Sequence, residues 1–220
     1  LVTNGVIVFI GPGHNGGDGA VVARELFLKG YDVSFWCPFP ISKKLTSEHL
    51  NYITSIGVRK LDNPPDPCNS ELWIDAILGN NQNKGIDNQI IKMFNKKFDS
   101  GIGKIVSIDV PTGLCPNSGK VFSKSAIKSN FTLSTGFKKV GILQDEAIPY
   151  VGKIINIDIG LSKNHFLKTS KNFLSISGKD IKKLSLVLPP KSASKYNRGR
   201  TLLVTGSNKY LGAASLVIKG

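Results

Sequence analysis

Two aspartates stand where an ionised carboxylate is costly. Asp75 lies inside the apolar run Leu72-Trp73-Ile74-Asp75-Ala76-Ile77-Leu78, and Asp109 closes Ile105-Val106-Ser107-Ile108-Asp109 just before Val110-Pro111-Thr112-Gly113. A charge in an apolar interior is strongly penalised unless a cation or several hydrogen-bond donors meet it. The glycine-rich stretch Gly11-Pro12-Gly13-His14-Asn15-Gly16-Gly17-Asp18-Gly19 adds the side-chain oxygens of Asn15 and Asp18. An Asn amide, carboxylates, the Thr112 hydroxyl and backbone carbonyls form a hard, all-oxygen set, suited to a monovalent cation or to magnesium. Taken singly, either aspartate is equally well read as a cap on a neighbouring loop. Two at equivalent strand ends, beside the Asn15 loop, point to one shared site.

Such a site needs strands that bring their carboxyl ends to one edge. Strand-like apolar runs occur at 5–10, 32–37, 71–78, 104–109, 130–135 and 153–159. Helical patterns fall between them: 18–29 with Asp18 as N-cap and Gly30 as stop, 46–56, and 87–98 with Ile90, Ile91, Phe94 and Phe98 on one face. The alternation predicts an α/β fold, a Rossmann-like three-layer sandwich with a mostly parallel sheet and ligands at the strands' carboxyl ends. Beyond about 160 the pattern weakens, and Leu188-Pro189-Pro190 closes a linker-like stretch. Residues 198–220 restart with a strand, a Gly-Ser loop and a helix. The expected organisation is a domain over 1–161, a linker over 162–190 and the start of a second α/β domain over 191–220. Both ends read as cut, as in a piece of a longer protein.

Gly11, Gly13 and Gly16 satisfy the G-x-G-x-x-G fingerprint directly after a strand. An ordinary dehydrogenase also needs an acid at the end of the second strand to hold the ribose. Here that strand ends Ser34-Phe35-Trp36-Cys37-Pro38, without one. Asp18, read as the N-cap, would moreover compete with a diphosphate for the positive end of its helix. The ordinary dehydrogenase reading fails on both counts.

Residues 11–19, Asp75–Gly85, Ser107–Gly113 and the pair of segments Phe131–Ile142 and Tyr150–Leu161 together resemble the YjeF N-terminal domain, the NAD(P)HX epimerase family, in order and spacing. The resemblance covers nearly all of 1–161. It implies an isomerase that interconverts the R and S forms of NADHX and NADPHX, the hydrated reduced nicotinamide cofactors. It also implies site roles. His14, Asn15, Gly16, Gly17 and Asp18 contact the hydrated cofactor, and Gly79, Asn80, Asn81, Gln82, Asn83, Lys84 and Gly85 line its phosphates. Asn15, Asp75 and Thr112 bind one potassium ion. Asp109 contacts the substrate and is the acid/base candidate. His14 replaces a commoner asparagine and Thr112 a commoner serine, and the 79–85 loop is rich in amides. Residues 198–220 are similar to the opening of an ADP-dependent NAD(P)HX dehydratase, a ribokinase-like lyase domain often fused behind the epimerase; ADP would belong to that domain. The family also implies a homo-oligomer. For Lys139, a phosphate contact and a plain surface position are both open.

Composition sets the remaining bounds. No apolar run reaches the ~18–20 residues of a membrane span, and no charged-then-apolar leader precedes the first strand. Cys37, Cys68 and Cys115 are odd in number and widely spaced, which suits a reducing, cytoplasmic setting over a disulfide framework or a zinc site. The formal net charge is +14, and residues 151–220 hold 13 of the 29 basic side chains but 2 of the 15 acidic ones. Their lysines are scattered without interleaved aromatics, so a solvated linker is expected over a nucleic-acid surface. The rival reading is a non-catalytic binding module, because the same fold recurs, by resemblance, in an mRNA-decapping scaffold and an apolipoprotein-binding protein. A pure scaffold has no physical reason to keep Asn15, Asp75 and Asp109 together.

Overall fold

A computed structural model describes residues 4–162, 178–183, 191–194, 196, 202–207 and 212–219. The chain divides into two units, Leu1–Lys171 and Asn172–Gly220. In the first, β1 (Val6–Ile10), α1 (His14–Leu28), β2 (Val33–Trp36), α2 (Lys44–Ser55) and β3 (Arg59–Lys60) are followed by β4 (Leu72–Ala76), α3 (Asn88–Ser100), β5 (Ile105–Ile108) and β6 (Phe131–Thr135). Two short 3-10 turns, Gly141–Leu143 and Asp145–Ala147, then lead into α4 (Ile148–Val151) and β7 (Lys153–Ile157). The seven strands form one sheet in the order β3-β2-β1-β4-β5-β6-β7, with every pair parallel. The predicted α/β class and mostly parallel sheet are borne out. Chain order reverses between β1 and β4, the switch point at which such sheets bind ligands.

Residues alternate between the two faces, as the strand period requires. Val6, Val8, Ile10, Leu72, Ile74, Ala76, Val106 and Ile108 pack with Ala20, Ala23 and Ile53 of α1 and α2. Ile7, Phe9, Trp73 and Ile105 pack with Ile90, Ile91 and Phe94 of α3. There Phe9 and Trp73 lie 4.7 Å apart, and Phe94 meets Trp73 edge-on at 5.2 Å. On this α3 face the register aligns Asp75 with Ser107 and Ser107 with Thr132, a row of three fully buried polar side chains across neighbouring strands. Helix α3 starts where Asp87 accepts the Gln89 N–H at 2.8 Å and stops at Gly101, whose φ is 70°.

Three features differ from expectation. Helix α1 begins at His14 with Gly13 as N-cap, so Asp18 sits a turn inside and no acidic residue occupies the first turn. The glycines that lower helix propensity there are required by packing: a Cβ on Gly19 would lie 2.4 Å from the Ala76 Cβ, and one on Gly16 would lie 2.0 Å from the Gly11 carbonyl oxygen. Close packing overrides propensity. Asp18 therefore does not block the amino end of α1, and that objection to a bound diphosphate falls. Strand β3, two exposed residues long, was too short to show a pattern.

The second unit contains α5 (Gly178–Lys183) and α6 (Gly212–Lys219). Residues 202–206 form no strand, and Leu202 and Val204 are 88% and 90% exposed. A strand holds only where its backbone groups are paired. Residues 198–201, the rest of the expected strand, and most of the expected linker lie outside the described residues. No helix among the described residues is long and apolar enough to cross a membrane.

Candidate active site

The loop between β1 and α1 is drawn tightly onto the sheet edge. A Cβ on Gly11 would fall 1.8 Å from the carbonyl oxygen of Ile77, so β1 leaves the sheet in van der Waals contact with the end of β4. By contrast, a Cβ on Gly13 would meet nothing within 4 Å. The amino end of α1 thus opens onto free space, with unpaired N–H groups and no acid, a setting suited to an anion. The loop is braced from α2, where Thr46 Oγ1 donates to the Gly13 carbonyl at 2.9 Å, and from Ser42, whose N–H and Oγ both donate to the Pro12 carbonyl.

Asp75 is fully buried, and the protein itself satisfies its carboxylate. Oδ1 accepts from the Ile77 N–H at 3.2 Å and Thr112 Oγ1 at 2.7 Å. Oδ2 accepts from Ser107 Oγ at 2.8 Å and the Thr112 N–H at 2.9 Å. Four donors fill the roughly four acceptor positions of a carboxylate. Burial pushes the Asp75 carboxyl above the usual carboxylate range, and the hydrogen bonds from Thr112, Ser107 and Ile77 oppose that shift. Of the two ways to keep this charge inside, donors or a cation, the donors are in place. Thr112 Oγ1 also accepts the Leu78 N–H at 3.0 Å. Asn15 packs against Gly79, and its Nδ2 makes a long contact of 3.5 Å to the Ile108 carbonyl. Asn15, Asp75 and Thr112 stand together at the carboxyl ends of β4 and β5, but with the acceptor positions of Asp75 filled a cation there would have to displace donors already in place. Among the described residues no three His, Cys, Asp or Glu side chains gather into a metal cluster.

Asp109 follows β5 with φ of 71°, the positive-φ residue other than glycine among those described. Aspartate tolerates this left-handed conformation better than most side chains. Its Oδ1 accepts from Thr135 Oγ1 at 2.7 Å, from the Thr135 N–H at 3.4 Å and from Lys139 Nζ; its Oδ2 accepts the Asn80 N–H at 2.9 Å. Lys139 and Asp109 form an ion pair whose side chains are 15% and 10% exposed. Lys139 is thus no ordinary surface lysine. Asp18, exposed on α1, has its carboxyl raised by partial desolvation and then by the negative charge of Asp109, with His14 and His49 pulling the other way.

The 78–85 loop ties these groups together. Gln82 is buried, donates from Nε2 to the Pro111 carbonyl at 3.2 Å and accepts the Gly113 N–H at 2.8 Å. Its side chain is a strut between two loops, whereas Asn80, Asn81, Asn83 and Lys84 are exposed and Gly85 lies against Ser123. The structure gathers His14, Asn15, Gly16, Gly17, Asp18, Asp75, Gly79, Asn80, Asp109 and Thr112 along one edge of the sheet. Ser107, Thr135 and the pairing of Lys139 were not foreseen. Ser107 was within reach, since aligning the ends of β4 and β5 sets it opposite Asp75.

Residues 2–141 match the family described as YjeF-related protein N-terminus. This chain belongs to that family. It is 33% identical to the bifunctional NAD(P)H-hydrate repair enzyme Nnr of Gloeobacter violaceus over 97% of this chain and 43% of that protein. It is 32% identical to the NAD(P)H-hydrate epimerase of Lentilactobacillus buchneri over 75% of this chain and 77% of that protein. The chain spans about two-fifths of the length of the bifunctional relatives, 43%, 41% and 42% for three of them. The crystal structure of yeast ynu0 shares the YjeF-family fold of this chain, with a TM-score of 0.62, 24% identity, and coverage of 80% of this chain and 75% of that one.

Proposed function

We propose that the first unit epimerises C6 of NADHX and NADPHX, with Asp109 as the proton-transferring group. The observation that carries this is the Asp109 carboxylate: three donors fill Oδ1, whereas Oδ2 has one donor and an acceptor position to spare. Membership of the family and the names of the relatives support the substrate class.

C6 of the hydrated ring bears a hydroxyl and is bonded to N1. An ion-paired carboxylate enters such a reaction most readily as a base. Asp109 removes the hydroxyl proton, C6=O forms, and the C6–N1 bond breaks with its electrons passing to N1, which takes the proton back from Asp109. Rotation about C5–C6 and reclosure by the reverse steps give the other epimer. The competing route protonates the hydroxyl, expels water as the N1 lone pair forms C6=N1, and readds water to either face. Labelled water separates the two, because only water loss introduces solvent oxygen at each inversion.

The open amino end of α1 and the exposed amides of the 79–85 loop would receive the diphosphate. A potassium ion held by Asn15, Asp75 and Thr112, as the resemblance implies, would have to displace donors that already satisfy Asp75, so the fold at this edge would stand without it. Residues 198–220, by their resemblance, would belong to the opening of an ADP-dependent dehydratase domain.

The test compares parent and Asp109→Asn for exchange of purified S-NADHX, followed chromatographically, and for binding by calorimetry. General acid/base groups contribute ~10²–10⁴-fold to rate. The variant is expected to bind like the parent and to exchange the epimers at close to the spontaneous rate; full activity would remove Asp109 from the mechanism.

A further inference from the structure

Lys139 reaches Asp109 from a loop pinned at both ends. After β6 the chain turns through Gly136, with φ of 70°, whose N–H donates to the Ile157 carbonyl at 2.8 Å. Five residues on, a Cβ at Gly141 would lie 2.3 Å from the Cys115 carbonyl oxygen, and the Gly141 N–H donates to the Pro116 carbonyl at 2.7 Å. Between these anchors Lys138 is exposed, but Lys139 turns inward and also donates to the Thr135 carbonyl at 2.8 Å. Its ammonium is held by backbone at one side and by the Asp109 carboxylate at the other.

This arrangement has two consequences at Asp109. With Thr135, the ammonium occupies Oδ1 and leaves Oδ2 as the oxygen able to accept a further proton. It also balances the charge of a carboxylate that would otherwise stand alone beside an anionic substrate. We infer that Lys139 is the positioning residue of the proposed epimerase, holding the Asp109 carboxylate by Oδ1 with Oδ2 turned to the reaction. The inference rests on the reading of Asp109 as the proton-transferring group.

The test uses the whole chain as parent, Lys139→Met and Lys139→Arg, with Lys139→Gln replacing the methionine variant if melting shows that it does not fold. The first readout is epimer exchange against pH. Lys139→Met is expected to lower kcat about 10²-fold, the typical cost of a misplaced reacting group, with KM near the parent's. The acid limb of its rate profile should move to higher pH, because an opposite charge favours the ionised form of a carboxyl. Lys139→Arg, which keeps the cation, should recover the limb and part of the rate. Asp18 on α1, flanked by His14 and by His49 of α2, also faces Asp109 and stays in place in all variants.

The second readout is titration of the Asp109 side-chain carbon by NMR, assigned by its loss in Asp109→Asn; it needs no activity. A parent without exchange activity would sink the epimerase reading, and a higher titration point in Lys139→Met would still establish the pairing. An unmoved titration, or a methionine variant as fast as the parent, would overturn the inference.

Discussion

Replacing Asp75 by asparagine changes one oxygen to an NH2 group in a site that supplies only donors. If the new nitrogen takes the place of Oδ2, Ser107 can turn to accept from it and give its own proton to Ser129, 2.6 Å away. The Thr112 N–H, now 2.9 Å from a donor, has no such freedom. If the amide is flipped, the Thr112 hydroxyl can turn toward the Leu78 carbonyl at 3.4 Å, and the Ile77 N–H is orphaned instead. Either way one buried N–H is left unpaired, at a cost of ~1–3 kcal/mol. Relief from burying a charge places the net loss toward the lower end. Asp75→Ala orphans both N–H groups and should cost roughly twice as much. Stability should therefore fall from parent to asparagine to alanine in urea unfolding followed by circular dichroism, in potassium and in a bulky organic cation alike. An asparagine variant as stable as the parent would refute the reasoning, as would a gap that disappears without potassium.

Two further outcomes follow from packing. Lys97 is 1% exposed, donates to the Asn69 carbonyl, Asn69 Oδ1 and the Ile102 carbonyl, and lies 4.9 Å from the Trp73 ring centroid. Burial pushes its ammonium below the usual lysine value, while Glu71, Asp66 and Cys68 pull it back. The unfolded chain then binds this proton more tightly, so parent stability should rise with pH between the lowered value and ~10.4 relative to Lys97→Met; parallel urea midpoints across that range would exclude it. Gly19→Ala gains up to ~1 kcal/mol of helix propensity but sets its Cβ 2.4 Å from the Ala76 Cβ. Overpacking costs ~1–3 kcal/mol, so a lower melting temperature is expected, and an unchanged or higher one would show that α1 can move off β4.

Most of the sheet was legible because parallel strands covered on both faces leave long apolar runs, and six such runs became strands. Two failures have one cause, since local pattern says nothing about what a residue will touch. The glycines after Gly13 look like a loop until Ala76 and Gly11 press against them. Gln82 reads as one more amide in a ligand loop until its side chain is seen to span Pro111 and Gly113. The strand ends carrying Asp75 and Asp109 were visible in sequence for the opposite reason: a carboxylate next to isoleucines is conspicuous. What answered those charges was hidden, because Lys139 lies thirty residues beyond Asp109, and no periodicity marks it apart from Lys138.

The polar row of Asp75, Ser107 and Thr132 has a consequence for how the strands find one another. Strands apolar on both faces carry little information about alignment, because a slip by two residues still sets isoleucine beside valine. Such a slip between β4 and β5 would strand Asp75 opposite Ile105, with a buried charge and no hydroxyl to meet it. Wrong alignments are thereby penalised in a sheet whose hydrophobic pattern hardly distinguishes them. The same row that shapes the edge holding Asp109 thus acts as an index mark during assembly, admitting the one registration in which every buried oxygen finds its hydrogen.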